Sequence, residues 1–143
     1  MATIERSIRI AAAPEHVFGY LDDPIHLLEI WPSMVEIRDV TELSNGGHAY
    51  HWRYKMAGLH FEGDSETVEL VPNERFVQRN PTGIPSTFDW RFVPDDGGTK
   101  VEMKVEYEVP KSLLGRLAEP FVLKLNEREA DTMLANLKDR VET

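Results

Sequence analysis

The chain has 143 residues, no cysteine and a formal net charge of −9. This length predicts one domain, residues 1–143, that can bury a core without disulfides. A net negative surface repels phosphate backbones and anionic lipid surfaces, which argues against nucleic-acid binding. No apolar stretch approaches the roughly 20 residues of a membrane-spanning helix, so no integral membrane segment is expected. The N-terminal residues lack a signal-peptide pattern, and we expect a cytoplasmic protein.

The chain begins with the pattern of one strand and two short helices. Residues 3–11 alternate apolar and polar side chains, which predicts a half-buried strand. Pro14 suits the first turn of a helix that includes Val17. Asp23 can cap a second short helix that begins at Pro24. The first third of the chain therefore predicts the order β-α-α.

Six further strands are predicted by alternating side chains and turn signals. The Asn45-Gly46 pair and residues 95–98 are typical of tight hairpin turns. The parity of the apolar residues changes near Asp39 and again within residues 61–71, which predicts a register break and a β-bulge. Because the connections are short, the sheet is predicted to be antiparallel.

The stretch from Ser112 to Val141 has the longest helical pattern in the chain. Its apolar residues recur mostly three or four positions apart and form one face. Ser112 is expected to cap this helix. Pro120 is expected to kink it near residues 115–119, because an interior proline removes a hydrogen bond. No other predicted helix could cover the apolar face, so we expect the sheet to pack against it in an α+β arrangement.

The kink also suggests a hypothesis about access to the interior. If the helix breaks before Pro120, the preceding turn could move as a lid. The residues that this lid would carry are Leu113, Leu114 and Leu117. The alternative is a rigid break that lets the helix follow the curvature of the sheet.

Four motifs along the chain are distinctive. They are Ala13-Pro14-Glu15-His16-Val17-Phe18, Leu21-Asp22-Asp23-Pro24 followed by Trp31-Pro32, the alternating strand from Gly97 to Pro110, and Leu134-Ala135-Asn136-Leu137-Lys138. Together they resemble the helix-grip (START-like, SRPBCC) superfamily, which joins START lipid-transfer domains, birch-pollen-allergen-like proteins, and bacterial polyketide cyclases and coenzyme Q-binding-like proteins. The resemblance implies an α+β helix-grip fold. In it, a curved antiparallel sheet in the order β-α-α-β-β-β-β-β-β-α wraps around the long C-terminal helix, with an apolar cavity between them.

Large side chains crowd the strand faces that are predicted to point towards the helix. On their own they are compatible with an ordinary filled core, whereas the resemblance implies that they line a ligand cavity. The first hypothesis is non-enzymatic binding or transport of a small hydrophobic molecule, such as a lipid, a quinone or a polyketide-like compound. The residues expected to line the chamber are Trp31, Tyr50, Trp52, Tyr54, Phe88, Trp90, Met103 and Phe121.

Two other functions stay open. One is a polyketide cyclase, aromatase or dehydratase, with Tyr54 or Glu66 as the acid or base; Glu66 would face the cavity only after a register shift. The other is a protein-interaction module with a filled core. We assign no catalytic residue and no role to the five histidines. We expect no metal site and no cofactor, because the histidines lack ligand spacing. Homodimerisation is left open.

Overall fold

The computed structural model describes residues 1–143 and shows one seven-stranded antiparallel sheet with four α-helices. The elements are β1 (Ala2–Ile10), α1 (Pro14–Leu21), α2 (Leu27–Ile30), β2 (Met34–Glu42), β3 (His48–Met56), β4 (Leu59–Val71), β5 (Arg75–Asn80), β6 (Ser86–Asp95), β7 (Gly98–Tyr107), α3 (Lys111–Leu114) and α4 (Glu119–Glu142). A 3₁₀ turn, Pro24–His26, leads into α2. The strand order is β1-β7-β6-β5-β4-β3-β2, so the first two strands of the sequence form the two edges of the sheet.

Short polar side chains fix the local turns as the sequence indicates. Asp23 Oδ1 accepts a hydrogen bond from the amide of Ile25 at 3.1 Å and caps the 3₁₀ turn. In the β2–β3 hairpin, Asn45 Oδ1 accepts from the amide of Gly47 at 2.8 Å, and Gly46 has a φ of 88°. Glycine adopts such a positive φ at no steric cost, which allows the chain to reverse tightly here.

The strand pairing has three register shifts, and two of them lie where the sequence predicts a change in which side chains face the interior. The pairing of β2 with β3 shifts between Arg38 and Thr41, where Asp39 has a φ of 57°. The pairing of β4 with β5 shifts between Thr67 and Glu69. Both shifts fall where the sequence predicts them. The second shift begins after Glu66, which stays on the exposed outer face. The outward position expected for Glu66 is therefore found, and the alternative in which a register shift brings Glu66 into the cavity does not apply.

The C-terminal helical pattern forms two helices instead of one kinked helix. Pro110, and not Ser112, precedes α3, and α4 begins after Ala118 with Pro120 in its first turn. A first-turn amide has no intrahelical acceptor, so a proline costs no hydrogen bond there. The expected kink is thus a complete break at residues 115–118.

The inner face of α4 closes the core against the sheet. Val122, Met133 and Leu137 are fully buried on this face. They join a single cluster of 25 buried residues that includes side chains from every layer of the fold. α4 packs along β1 and α2. The result is the helix-grip arrangement of a curved sheet around one long helix.

Candidate functional site

A cavity lies between the inner face of the sheet and α4. Its volume is about 120 Å³, and its walls are mostly hydrophobic. Typical pockets for drug-sized ligands have volumes of roughly 300–1,000 Å³, so the cavity in this conformation holds only a small molecule or part of a larger one. Four methionines line it: Met34, Met56, Met103 and Met133. Unbranched methionine side chains change rotamer readily, which gives the walls a means of expanding.

Seven of the eight residues expected in the chamber lie in its wall. They are Trp31, Tyr50, Trp52, Tyr54, Phe88, Trp90 and Met103. Phe121 lies outside, and 53% of its surface is exposed. The neighbouring Val122 takes the inward position, and one residue along a helix turns the side chain by about 100°. The expectation that Phe121 lines the cavity is corrected for this reason.

Trp31 and Tyr54 form a polar contact inside the aromatic wall. The Trp31 Nε1–H donates to Tyr54 Oη at 3.1 Å. The Trp31 ring also meets the rings of Tyr54 and Phe88 edge-on, at centroid distances of 5.1 and 5.3 Å. Burial, and secondarily the nearby Glu129 carboxylate, raises the pKa of Tyr54 well above its usual value. The Tyr54 phenol therefore stays protonated at neutral pH.

A second phenol connects the sheet to α4. Asn126 Nδ2 donates to Tyr107 Oη at 2.9 Å. Burial raises the pKa of Tyr107, although this bond from Asn126 opposes the rise. Further along α4, Glu129 Oε1 accepts from the amide of Ser33 at 2.7 Å. These two bonds fix the wall of the cavity that α4 provides.

One end of the cavity is polar. Thr67 Oγ1 donates to Gln78 Oε1 at 2.8 Å and accepts from the amide of His48 at 3.0 Å. Gln78 Nε2 in turn donates to the carbonyl of His48 at 3.3 Å. Asn80 Nδ2 donates to Ser86 Oγ at 3.1 Å beside this network. The aromatic pattern does not indicate these polar residues, although the inward parity of Phe76, Gln78 and Asn80 along β5 is a signal for them.

Two buried polar groups near the aromatic wall have no hydrogen-bond partner. They are Trp52 Nε1 and Ser65 Oγ, in residues that are 5% and 2% exposed. Ser65 lies directly across from Tyr50 in the β3–β4 ladder. Burial raises the pKa of Tyr50 to about 12. An unpaired buried donor costs about 1–3 kcal/mol, so these groups mark a place where a ligand oxygen or a water would be stabilised.

Glycine holds the Trp52 indole in place. A Cβ at Gly63 would lie 2.7 Å from Trp52 Cζ2, and one at Gly83 would lie 2.8 Å from Trp52 Cη2. Both distances are too short for a real contact, so only glycine lets the two backbones approach the ring. The indole is thereby fixed against β4 and the β5–β6 loop.

The outer face of the sheet carries a separate cluster of charges. His51 Nδ1 lies 3.1 Å from Asp64 Oδ1, and its Nε2 lies 3.2 Å from Glu62 Oε1. These hydrogen bonds, the one to Asp64 first, raise the pKa of His51. No group of three or more His, Asp and Glu side chains in the chain has the geometry to hold a metal ion. None of the helices is long and apolar enough to cross a membrane.

A curved antiparallel sheet that grips a C-terminal helix across an apolar cavity defines a helix-grip protein of the START-like class. Residues 1–142 match the family described as "Polyketide cyclase / dehydrase and lipid transport". The chain belongs to this family. No curated protein matches it.

Solved structures share the fold over nearly the whole chain. TTHA0849 from Thermus thermophilus is 22% identical, with a TM-score of 0.85, covering 98% of this chain and 97% of that one. A START superfamily protein from Mycobacterium smegmatis is 15% identical, with a TM-score of 0.78 and coverages of 98% and 97%. The Zhui aromatase/cyclase from Streptomyces sp. R1128 is 17% identical, with a TM-score of 0.75 and coverages of 99% and 93%.

Proposed function

We propose that this protein binds and carries a small hydrophobic molecule in the cavity between the sheet and α4. The observation that carries the proposal is the cavity itself, whose apolar wall contains a few polar groups. Such a wall is typical of small-molecule sites, where apolar area supplies affinity and a few polar groups set orientation. The cavity also argues against the interaction module with a filled core.

One unpaired group belongs to a residue of the cavity wall and suggests the chemistry of the ligand. Trp52 Nε1 is a donor only, so its partner must be an acceptor such as a carbonyl or phenolic oxygen. The proposed ligand is therefore an aromatic or otherwise planar apolar molecule with at least one oxygen on its edge. Quinones and polyketide-like compounds have this chemistry.

Two probes of similar shape test the proposal. 1,4-Naphthoquinone has acceptor oxygens, and naphthalene has none. The three tryptophans give three indole N–H signals in a ¹⁵N-labelled spectrum. We expect both probes to shift signals of the cavity wall, and only the quinone to move the Trp52 indole proton downfield.

A matched pair of variants completes the experiment. Trp52→Phe should reduce the preference for the quinone over naphthalene. Trp90→Phe removes an indole from the same wall and should leave that preference unchanged. If neither probe shifted a cavity signal at millimolar concentration, the binding proposal would fail.

The second candidate function is a cyclase-type enzyme, which Tyr54 favours. Its phenol lies in the apolar wall, where it could donate its proton to a substrate carbonyl oxygen as an enol carbon of the same substrate attacks that carbonyl, and regain a proton from the enol hydroxyl as this becomes a ketone. The cavity would fold the flexible substrate so that its reacting carbons meet. The names of the Zhui protein and of the di-domain ARO/CYC StfQ, 17% identical with a TM-score of 0.75, add support.

Tyr54→Phe separates the two candidates. An enzyme would lose cyclisation of a synthetic poly-β-ketone while still binding it, and a carrier would show no turnover before or after the change. The cytoplasmic location stays a prediction, and homodimerisation stays open. Light scattering on the purified protein would measure its mass and show whether it is a monomer or a dimer.

A further inference from the structure

Glu129 of α4 places a carboxylate in the cavity wall without a cationic partner. The carboxylates that line the cavity belong to Asp22 and Glu129, and no lysine or arginine lines it. Asp22 Oδ1 lies 3.9 Å from His48 Nδ1, so a protonated histidine can balance its charge. The Glu129 carboxylate forms no ion pair, and its only hydrogen bond comes from the amide of Ser33 to Oε1. The wall therefore carries a negative charge that no side chain of the protein neutralises.

The position of Glu129 makes this charge costly. The residue is half-buried, and Asn126, Ala130 and Met133, its neighbours on α4, also line the cavity. A carboxylate that loses water without gaining a cation is destabilised. The Ser33 amide replaces water at Oε1 only, and Oε2 receives no hydrogen bond from the protein. An ammonium group in the cavity would supply both a donor for Oε2 and the missing positive charge.

Aromatic rings beside Glu129 add a second attraction for a cation. Burial, and then the Glu129 charge, raises the pKa of the Tyr54 phenol, which shows that the carboxylate lies near this ring. The Trp31 ring packs on Tyr54 and Phe88 at centroid distances of 5.1 and 5.3 Å, and all three rings line the cavity. Aromatic faces attract cations, tryptophan most strongly, and the attraction grows when water is excluded. Aromatic rings around one carboxylate are suited to an organic cation, whereas a fatty-acid carboxylate or a phosphate would meet only like charges.

We infer that the ligand carries a protonated amine and that Glu129 binds it. The inference rests on the proposed function, because it specifies the charge of the molecule that the cavity holds. The Trp52 indole would bind an oxygen of the ligand, and Glu129 would bind its ammonium group. The ligand class is therefore an arylalkylamine with an oxygen acceptor. A neutral quinone satisfies only the Trp52 group and should bind more weakly than such an amine.

Three probes that share a naphthalene ring test the inference. 1-Naphthylmethylamine is a cation at neutral pH, 1-naphthalenemethanol has a neutral hydroxyl in the same place, and 1-naphthoate is an anion. Hydrogen bonds to charged groups are the stronger ones, so we expect calorimetry to show binding of the amine at least about tenfold tighter than that of the alcohol. The naphthoate should bind most weakly, because like charges line the cavity.

A charge-neutral variant of Glu129 shows whether this residue causes the preference. Glu129→Gln keeps an oxygen acceptor for the Ser33 amide and removes the negative charge. The variant should lose most of the preference for the amine over the alcohol and bind the alcohol nearly as the wild type does. If it lost the alcohol as well, its cavity would have changed, and the wild-type series would decide alone.

Asp139→Asn is the matched control, because it removes an equal charge from an exposed position on the same helix. This variant should keep the preference of the wild type, which separates the Glu129 charge from the general attraction of a chain of net charge −9 for cations. Equal affinity of the wild type for amine and alcohol, or a preference that survives Glu129→Gln, would overturn the inference and leave the proposed function intact. Absence of binding by naphthalene and by all three probes would contradict both.

Discussion

The hydrogen bond between Thr67 and Gln78 provides the sharpest test of the polar end of the cavity. Thr67→Val keeps the shape of the side chain and removes its hydroxyl. Two groups then lose a partner: the Gln78 carboxamide oxygen and the amide of His48. Gln78 is 7% exposed, so bulk water has little access to the carboxamide oxygen.

The expected cost follows from these two groups. A buried polar atom left unpaired costs about 1–3 kcal/mol, and the half-buried His48 amide belongs at the low end of that range. We expect Thr67→Val to lower the free energy of unfolding by about 3 kcal/mol. Gln78→Leu should cost about 1 kcal/mol, because Thr67 Oγ1 still bonds the backbone of His48. The double variant has no orphaned carboxamide, so its cost should be about 2 kcal/mol below the sum.

Urea unfolding of the four proteins gives this coupling energy directly. Thr87→Val, on the exposed outer face of β6, is the matched control and should be nearly neutral. Additive costs for Thr67→Val and Gln78→Leu would show that the two side chains are not energetically coupled. That result would refute the assignment of a preformed polar end to the cavity.

Three further outcomes are expected. Amides of residues 111–118 should exchange at least about tenfold faster than those of residues 133–137 if α3 moves as a lid, and equal protection would contradict a lid. The carboxylate partners of His51 raise its pKa. The stability that this histidine contributes is therefore complete below its unfolded pKa of about 6.5 and disappears as pH rises through its folded pKa. The free energy of unfolding of His51→Gln should differ from that of the wild type most at low pH, and a difference that is constant with pH would exclude this contribution. Burial raises the pKa of Asp89, but its bonds to the Arg75 guanidinium outweigh burial, so the net effect is a lowered pKa. The contribution of this ion pair to the free energy of unfolding should therefore be lost as pH falls below about 4. Asp89→Asn should flatten acid unfolding, and an unchanged acid limb would contradict the pair's contribution.

The strands and their order along the chain could be predicted because the signals are local. Alternation along residues 98–107 and the Asn45-Gly46 turn depend only on neighbouring residues. The bulge after Thr67 was also visible as a change of parity. These local patterns, with one long apolar helical face, predict an α+β layer arrangement, and the helix-grip fold was expected from the family resemblance.

The division of the C-terminal helix could not be predicted in the same way. The apolar spacing runs through Leu114, Leu117 and Phe121 as if the helix were continuous, whereas the residues buried on either side of the break are Leu113 and Val122. Pro120 is compatible with a kink inside a helix and with the first turn of a new one. Tertiary packing, which anchors α3 and α4 separately, decides between them.

The candidate site was likewise predictable only in part. The aromatic wall was predictable from strand parity. The polar network of His48, Thr67 and Gln78 joins three strands, and its distances depend on pairings that no local pattern specifies. The unpaired state of Trp52 Nε1 is likewise a property of the assembled interior.

The shifted pairing of β2 has a consequence for how the molecule behaves in a crowded solution. A regular, flat edge strand would act as a template for strands from other copies and would permit cross-β growth. Here the left-handed backbone of Asp39 interrupts one edge of the sheet, and α4 covers the other through contacts such as Arg6 to Asp131. Both features disfavour linear polymerisation of the sheet through its edges.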